Sequence, residues 1–275
     1  MRSLICYRDI KNVTRYFRFV GIILQSLDSE VVLLEIKDNL HPGESDRSEK
    51  IAQLLPDRIV ERKTVQAGYL EAVIEETRKH AYDLVIIYSQ DQPALGDVLI
   101  GTVADRVIKA ANTSVLIVNH PRGEIKRLLV STGGHELSEQ TVNTGIAIAE
   151  NIQAMVILLH VVASIPSMYA GLDQIDESLE EVLHTDTPLA RHLKNRAAEM
   201  RQKGIEAQIE LRRGLPSEEI VRATFRDKAD LLVVGYSEDT RFYRIFRDHL
   251  SLHIVDRAAC PVLVVNRKVA WDIDR

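Results

Sequence analysis

The sequence predicts an α/β chain built as two tandem open parallel sheets, each five-stranded, with helices on both faces. Three observations carry this expectation. Apolar β-branched runs alternate with helix-patterned stretches along the chain, as βαβ units with right-handed crossovers require. Several of those runs are continuously apolar, the pattern of strands buried on both faces of a parallel sheet. The pattern also repeats. Asp83-Leu84-Val85-Ile86-Ile87 matches Asp230-Leu231-Leu232-Val233-Val234, and Val115-Leu116-Ile117-Val118-Asn119 matches Val262-Leu263-Val264-Val265-Asn266, both at an offset of 147 residues (230 − 83 and 262 − 115). A constant offset across two strands and the helix between them marks one supersecondary unit occurring twice.

In chain order, the first unit reads as strands at 4–7, 31–36, 60–66, 84–88 and 115–118, and the second as strands at 128–131, 155–162, 207–211, 231–234 and 262–265. Helical spacing is clearest at 70–80, 136–151 and 217–228. A chain of 275 residues accommodates two domains of ordinary size. The expected division is 1–120 and 125–275, across the charged Pro/Gly turn His120-Pro121-Arg122-Gly123-Glu124. Segments 39–48 and 163–177 follow the second strand of their units and are poorly patterned. They either border a ligand crevice at the carboxyl ends of the strands or form plain surface loops.

Apolar residues make up 45% of the chain and charged residues 27%, an ordinary globular composition. A net charge of −5 gives no general attraction to nucleic acid or anionic lipid. The two cysteines, Cys6 and Cys260, lie at opposite ends without a CxxC pair. That argues for a reducing compartment and against a disulfide framework or a thiolate zinc site. The start of the sequence lacks a signal-peptide pattern. The most apolar helical stretch, 16–27, is interrupted by Arg18 and is too short to cross a bilayer. The expectation is a cytoplasmic protein with neither membrane insertion nor nucleic-acid binding.

Three groups of residues carry a family resemblance. They are Asp230-Leu231-Leu232-Val233-Val234-Gly235, then Ala259-Cys260-Pro261-Val262-Leu263-Val264-Val265, and the helix opening Gly214-Leu215-Pro216-Ser217-Glu218-Glu219-Ile220. The first unit has a weaker version in 83–88, Gly101-Thr102-Val103-Ala104-Asp105-Arg106-Val107 and 114–118. Together they resemble a tandem universal stress protein. The resemblance implies Rossmann-like domains that pair through their last strands into an internal pseudo-dimer, or chains that form a homodimer. It also implies an adenine nucleotide, ATP or AMP, as regulatory ligand.

Nucleotide-binding members of that family carry Gly-x-x-Gly and, further on, Gly-Ser or Gly-Thr. Glycines let backbone N–H groups approach phosphate, and the last pair opens a helix whose amides favour an anion. Here the first unit has Tyr88 and Asp91 in place of the leading glycines and keeps Gly101-Thr102. The second keeps Gly235, but has Glu238 next and Asp248-His249 at the closing pair. A carboxylate at a phosphate position is repulsive. Asp9, after the first strand, stands where the resemblance implies a nucleoside contact, or simply caps the next helix. Thr132 takes the corresponding place in the second unit. The Gly133-Gly134 pair that follows is either an anion-binding turn or a plain tight βα turn.

Other clusters are weaker. His249 and His253 share a helix face near Asp256, with no further ligand at metal-binding spacing, so no metal site is expected. Arg241, Arg244 and Arg247 either clamp phosphate or pair with Glu238, Asp239 and Asp248. No Gly-x-Ser-x-Gly, Gly-x-Gly-x-x-Gly or Walker sequence occurs, so no catalytic mechanism is supported. Three readings remain. One is a non-enzymatic stress-response regulatory module that binds nucleotide in the first unit. Another is a scaffold with both sites lost. The third is an enzyme acting on a nucleotide or anionic substrate through Gly133-Gly134 and the 241–247 stripe.

Overall fold

Strands form at every expected place, most of them as runs of Leu, Ile and Val, with the polar third strand of each unit as the exception. The computed structural model describes residues 1–8, 13–37, 51, 53–55, 58–88, 100–134, 138–163, 179–236 and 250–266. The first unit contains β1 (Arg2–Tyr7), α1 (Val13–Ser26), β2 (Glu30–Lys37), β3 (Ile59–Gln66), α2 (Tyr69–Lys79), β4 (Leu84–Tyr88), α3 (Ile100–Ala111) and β5 (Ser114–Val118). The second contains β6 (Arg127–Ser131), α4 (Glu139–Ile152), β7 (Met155–Ala163), α5 (Leu179–His184), α6 (Pro188–Gln202), β8 (Ala207–Gly214), α7 (Pro216–Arg226), β9 (Leu231–Tyr236), α8 (Leu250–Arg257) and β10 (Val262–Asn266).

The strands join into one ten-stranded sheet, ordered β3-β2-β1-β4-β5-β10-β9-β6-β7-β8. Each unit contributes the order third, second, first, fourth, fifth, with every pair inside a unit parallel. The junction is different: β10 runs antiparallel to β5, with Leu263 opposite Leu116.

Successive strand residues point to opposite faces, and both faces are apolar. Ile5, Leu33, Val130, Leu158 and Leu263 pack in one layer with residues of α1, α4 and α6. Leu4, Cys6, Val32, Leu232 and Val264 pack in the other with α2, α3, α7 and α8. The units also meet through helices, α1 on α4 over one face and α3 on α8 over the other.

Local chemistry sets the helix ends. Thr187 caps α6 by accepting the Ala190 N–H at 3.3 Å, and Pro188 occupies the first turn. The helix expected at 217–228 ends at Arg226 because Lys228 turns into the left-handed region, φ 51°. Left-handed Gln153, φ 55°, similarly ends α4.

The repeated Asp before the fourth strand of each unit is a staple at the amino ends of the strands. Asp83 Oδ2 accepts the Arg2 N–H at 2.8 Å. Asp230 Oδ2 accepts the Lys126 and Arg127 N–H groups at 2.9 and 3.1 Å, and Arg122 adds an ion pair at 3.1 Å. The repeated Asn after the last strand crosses the junction. Asn119 Nδ2 donates to the Val255 and Ala258 carbonyls at the end of α8. Asn266 donates from its N–H to Ser114 Oγ and from Nδ2 to Asn112 Oδ1, just past α3.

Candidate functional site

In each unit the chain goes outward from the first strand and returns to the fourth strand on the other side. That reversal makes a topological switch point at the carboxyl ends of β1 and β4, and another at those of β6 and β9, the usual place for a ligand in an open α/β sheet.

The first switch point is aromatic. Tyr7 ends β1 and Tyr88 ends β4. The Tyr16 ring, from the first turn of α1, lies 4.9 Å from both the Phe17 and Tyr88 rings, edge-on to each. Tyr7 meets Phe17 at 6.1 Å. Such T-shaped pairs add to plain area burial. Burial, reinforced by Glu35 and opposed by Arg62, pushes the Tyr7 phenol up to about 12. Tyr69 OH donates to the Cys6 carbonyl at 3.0 Å. Tyr16 is fully buried, yet its hydroxyl has no hydrogen-bond partner among the described residues. Gly101 and Thr102 lie in the first turn of α3, the helix that follows β4. Asp9 and Asp91 lie outside the described residues.

The second switch point is polar. Thr132 is buried just past β6, and its Oγ1 accepts the Gly134 N–H at 3.1 Å. The same oxygen lies 2.9 Å from Ser138 Oγ and 3.2 Å from His192 Nε2. His160 Nδ1 reaches the Thr132 carbonyl at 2.9 Å. On its other side, His192 Nδ1 lies 3.3 Å from Glu139 Oε1. Arg196 bonds Glu139 and Glu199 at 3.3 and 2.7 Å, and Asn143 Oδ1 as well.

Two glycines here are enforced by close approach. Gly134 sits at φ +75°, and a Cβ there would come within 2.3 Å of Leu189 Cδ1 and 3.0 Å of His160 Cε1. A Cβ on Gly235 would lie 2.6 Å from Thr141 Oγ1 of α4. The turn at Gly133-Gly134 is thus packed by α6 and β7, and the end of β9 by α4. Glu238, Asp248, the Arg241, Arg244 and Arg247 stripe, His249 and segments 39–48 and 164–177 lie outside the described residues. His253 is within α8.

Tyr16, Ser138, Glu139, His160, His192 and Arg196 were not singled out by sequence. One signal existed: Leu189, His192 and Arg196 recur at helical spacing, so one face of α6 carries them together. Among the described residues, no three or more His, Cys, Asp or Glu are placed to hold a metal ion. None of the described helices is long and apolar enough to cross a membrane.

Comparison with known proteins agrees with this architecture. A universal stress protein of Methanocaldococcus jannaschii is 28% identical over 151 residues, 55% of this chain and 88% of that protein. A universal stress protein E homolog of Haemophilus influenzae is 26% identical over 206 residues, 70% of this chain and 65% of that protein. The crystal structure of a universal stress protein from Archaeoglobus fulgidus shares the fold, with a TM-score of 0.63 at 14% identity over 96% of both chains. The model of the universal stress protein family matches residues 20–119 and again residues 124–266. Two matches in tandem, over the two units of the sheet, place this chain in the universal stress protein family.

Proposed function

We propose that the chain is a cytoplasmic stress-response regulatory module that works by binding, with an adenine nucleotide as regulatory ligand at the first switch point. The observation that carries this reading is the buried hydroxyl of Tyr16, which has no hydrogen-bond partner among the described residues at the carboxyl end of the strands. An unsatisfied buried hydroxyl costs about 1–3 kcal/mol, and a ligand that supplies the missing hydrogen bond removes that cost. The half-buried Tyr88 ring, packed edge-on against Tyr16 at the end of β4, gives a planar base an apolar wall. Gly101-Thr102 in the first turn of α3 suits an anionic group. Tyr88, standing in place of a glycine, narrows the room for a long phosphate chain.

A second reading is favoured for the other unit. Leu189 and His160 pack against Gly134, and Thr132 is hydrogen-bonded within the protein. That supports a partner-binding or structural role there.

Thermal unfolding with millimolar ATP or AMP tests the proposal. A ligand at a hundred times its Kd stabilises by about 2.7 kcal/mol, which raises the midpoint by several degrees. The shift should vanish in Gly101→Asp. Tyr16→Phe should unfold at a higher midpoint without ligand and respond less to nucleotide. If no nucleotide moves the wild-type midpoint, the ligand reading fails and the scaffold reading stands for both units.

A further inference from the structure

Among the described residues, the large apolar side chains left more than half exposed are Val60 at 54%, Leu215 at 52% and Phe225 at 62%. One such residue on a surface is ordinary. Two of these, however, belong to one helix. Leu215 is the N-cap of α7 and Phe225 stands in its last turn. With Glu218 and Arg222 between them they fall at steps of three, four and three, so the four side chains form one stripe along the helix. The opposite side of α7, with Ile220, Ala223 and Thr224, is buried.

The stripe is symmetric about its middle. Leu215 and Phe225 lie five residues either side of Ile220, and Glu218 and Arg222 lie two residues either side of it. Two copies of α7 laid antiparallel about a two-fold axis level with Ile220 therefore bring Leu215 of each against Phe225 of the other. They also bring Glu218 of each against Arg222 of the other. Residue i meets j while j meets i, as an isologous interface demands. Arg222 bonds Glu218 at 3.0 Å and also Glu219 within its own helix. Its guanidinium is thus fixed on the stripe before a second copy arrives, and pairing makes a ring of alternating charges.

The repeat supplies the control. The same places in α2, at the 147-residue offset (215 − 68, 218 − 71, 222 − 75 and 225 − 78), are Gly68, Glu71, Glu75 and Arg78, all exposed. That stripe has no large apolar residue at either end, and antiparallel pairing would set Glu71 against Glu75, like charge on like. The β5–β10 seam is already satisfied inside the chain and offers nothing to a second copy.

We propose that the chain forms a homodimer by antiparallel contact of α7 with α7 of a second copy, Leu215 against Phe225 and Glu218 against Arg222. Because α2 lacks the stripe, the contact closes at two copies and does not propagate.

The test is sedimentation equilibrium of the full chain from about 1 to about 100 μM, the range in which weaker interfaces dissociate. The mass should rise with concentration from one chain to two. Phe225→Arg, the residue that α2 carries at that place, should weaken association about 30-fold or more, the scale of an interface hot spot. Arg222→Glu should weaken it too, by setting acids face to face. Adding Glu218→Arg to that variant should restore the dimer, since the charges alternate again with their signs exchanged. Circular dichroism identifies variants that remain folded. Leu215→Cys and Phe225→Cys chains, mixed and oxidised, should cross-link far faster than either chain alone. Like ends lie about 15 Å apart along the paired helices, beyond disulfide reach. A single-chain mass throughout, a dimer untouched by Phe225→Arg and Arg222→Glu, or equal cross-linking of each cysteine variant with itself would overturn the proposal.

Discussion

The two switch points occupy equivalent places in one sheet and are closed by opposite means. The first holds Tyr7, Tyr16, Phe17 and Tyr88 in edge-on contact. The second holds Thr132, Ser138, His160, His192, Glu139 and Arg196 in hydrogen bonds and ion pairs. An aromatic cluster tolerates small shifts, because its attraction is spread over many weak contacts. A buried polar network does not, because one broken member leaves another unsatisfied. Substitutions should therefore be felt more sharply in the second unit.

The largest effect is expected at Gly134. An alanine there meets both the left-handed backbone and the contacts with Leu189 and His160. Strain and overpacking together should cost about 3 kcal/mol. Gly123→Ala, with open space around it, should be close to neutral. Urea midpoints at constant m-value would measure the difference, and an equal response of the two would refute the packed turn.

The next effect compares the two aspartate staples. Asp230 accepts two backbone N–H groups and an Arg122 bond, whereas Asp83 accepts one N–H. Replacement by Ala should cost about 3 kcal/mol at Asp230 and about 1 kcal/mol at Asp83. Equal losses would mean that the extra bonds of Asp230 contribute nothing net.

The smallest effect is in pH dependence, and it belongs to the first unit. Burial alone would raise Glu76, but hydrogen bonds from Lys63 at 2.7 Å and Tyr82 at 2.6 Å outweigh it and hold the carboxyl below its usual range. A depressed carboxylate stabilises the fold fully above its unfolded pKa, about 4.3. That contribution is lost as pH falls through the lower folded value. The equivalent residue of α7 is Ala223. Glu76→Gln should therefore flatten the acid limb of the stability curve below about pH 4, and a limb unchanged by the substitution would remove Glu76 from that account.

How much of this was legible in sequence follows from how far apart the causes lie. Leu84–Tyr88 and Val262–Val265 read as strands because burial on both faces demands an unbroken apolar run. The repeat was legible because Asp83 and Asp230 keep their spacing from those runs, although their stapling role shows only once Arg2 and Lys126 are folded beside them. Thr132 was legible by position. Its bond to His192 joins residues sixty apart, and no local pattern encodes that. The shortened end of α7 turns on the single left-handed residue Lys228, where neither Gly nor Asn gives the customary stop signal.

The antiparallel seam of β5 and β10 has an evolutionary consequence. When two identical chains pair, every mutation appears on both sides of the axis, so neither partner can change alone. Joining the partners in one polypeptide removes that constraint. It also fixes their ratio at one to one and makes their pairing independent of dilution. Tyr88 and Gly235, at matching places either side of the seam, differ while both strands keep their parallel neighbours in the sheet.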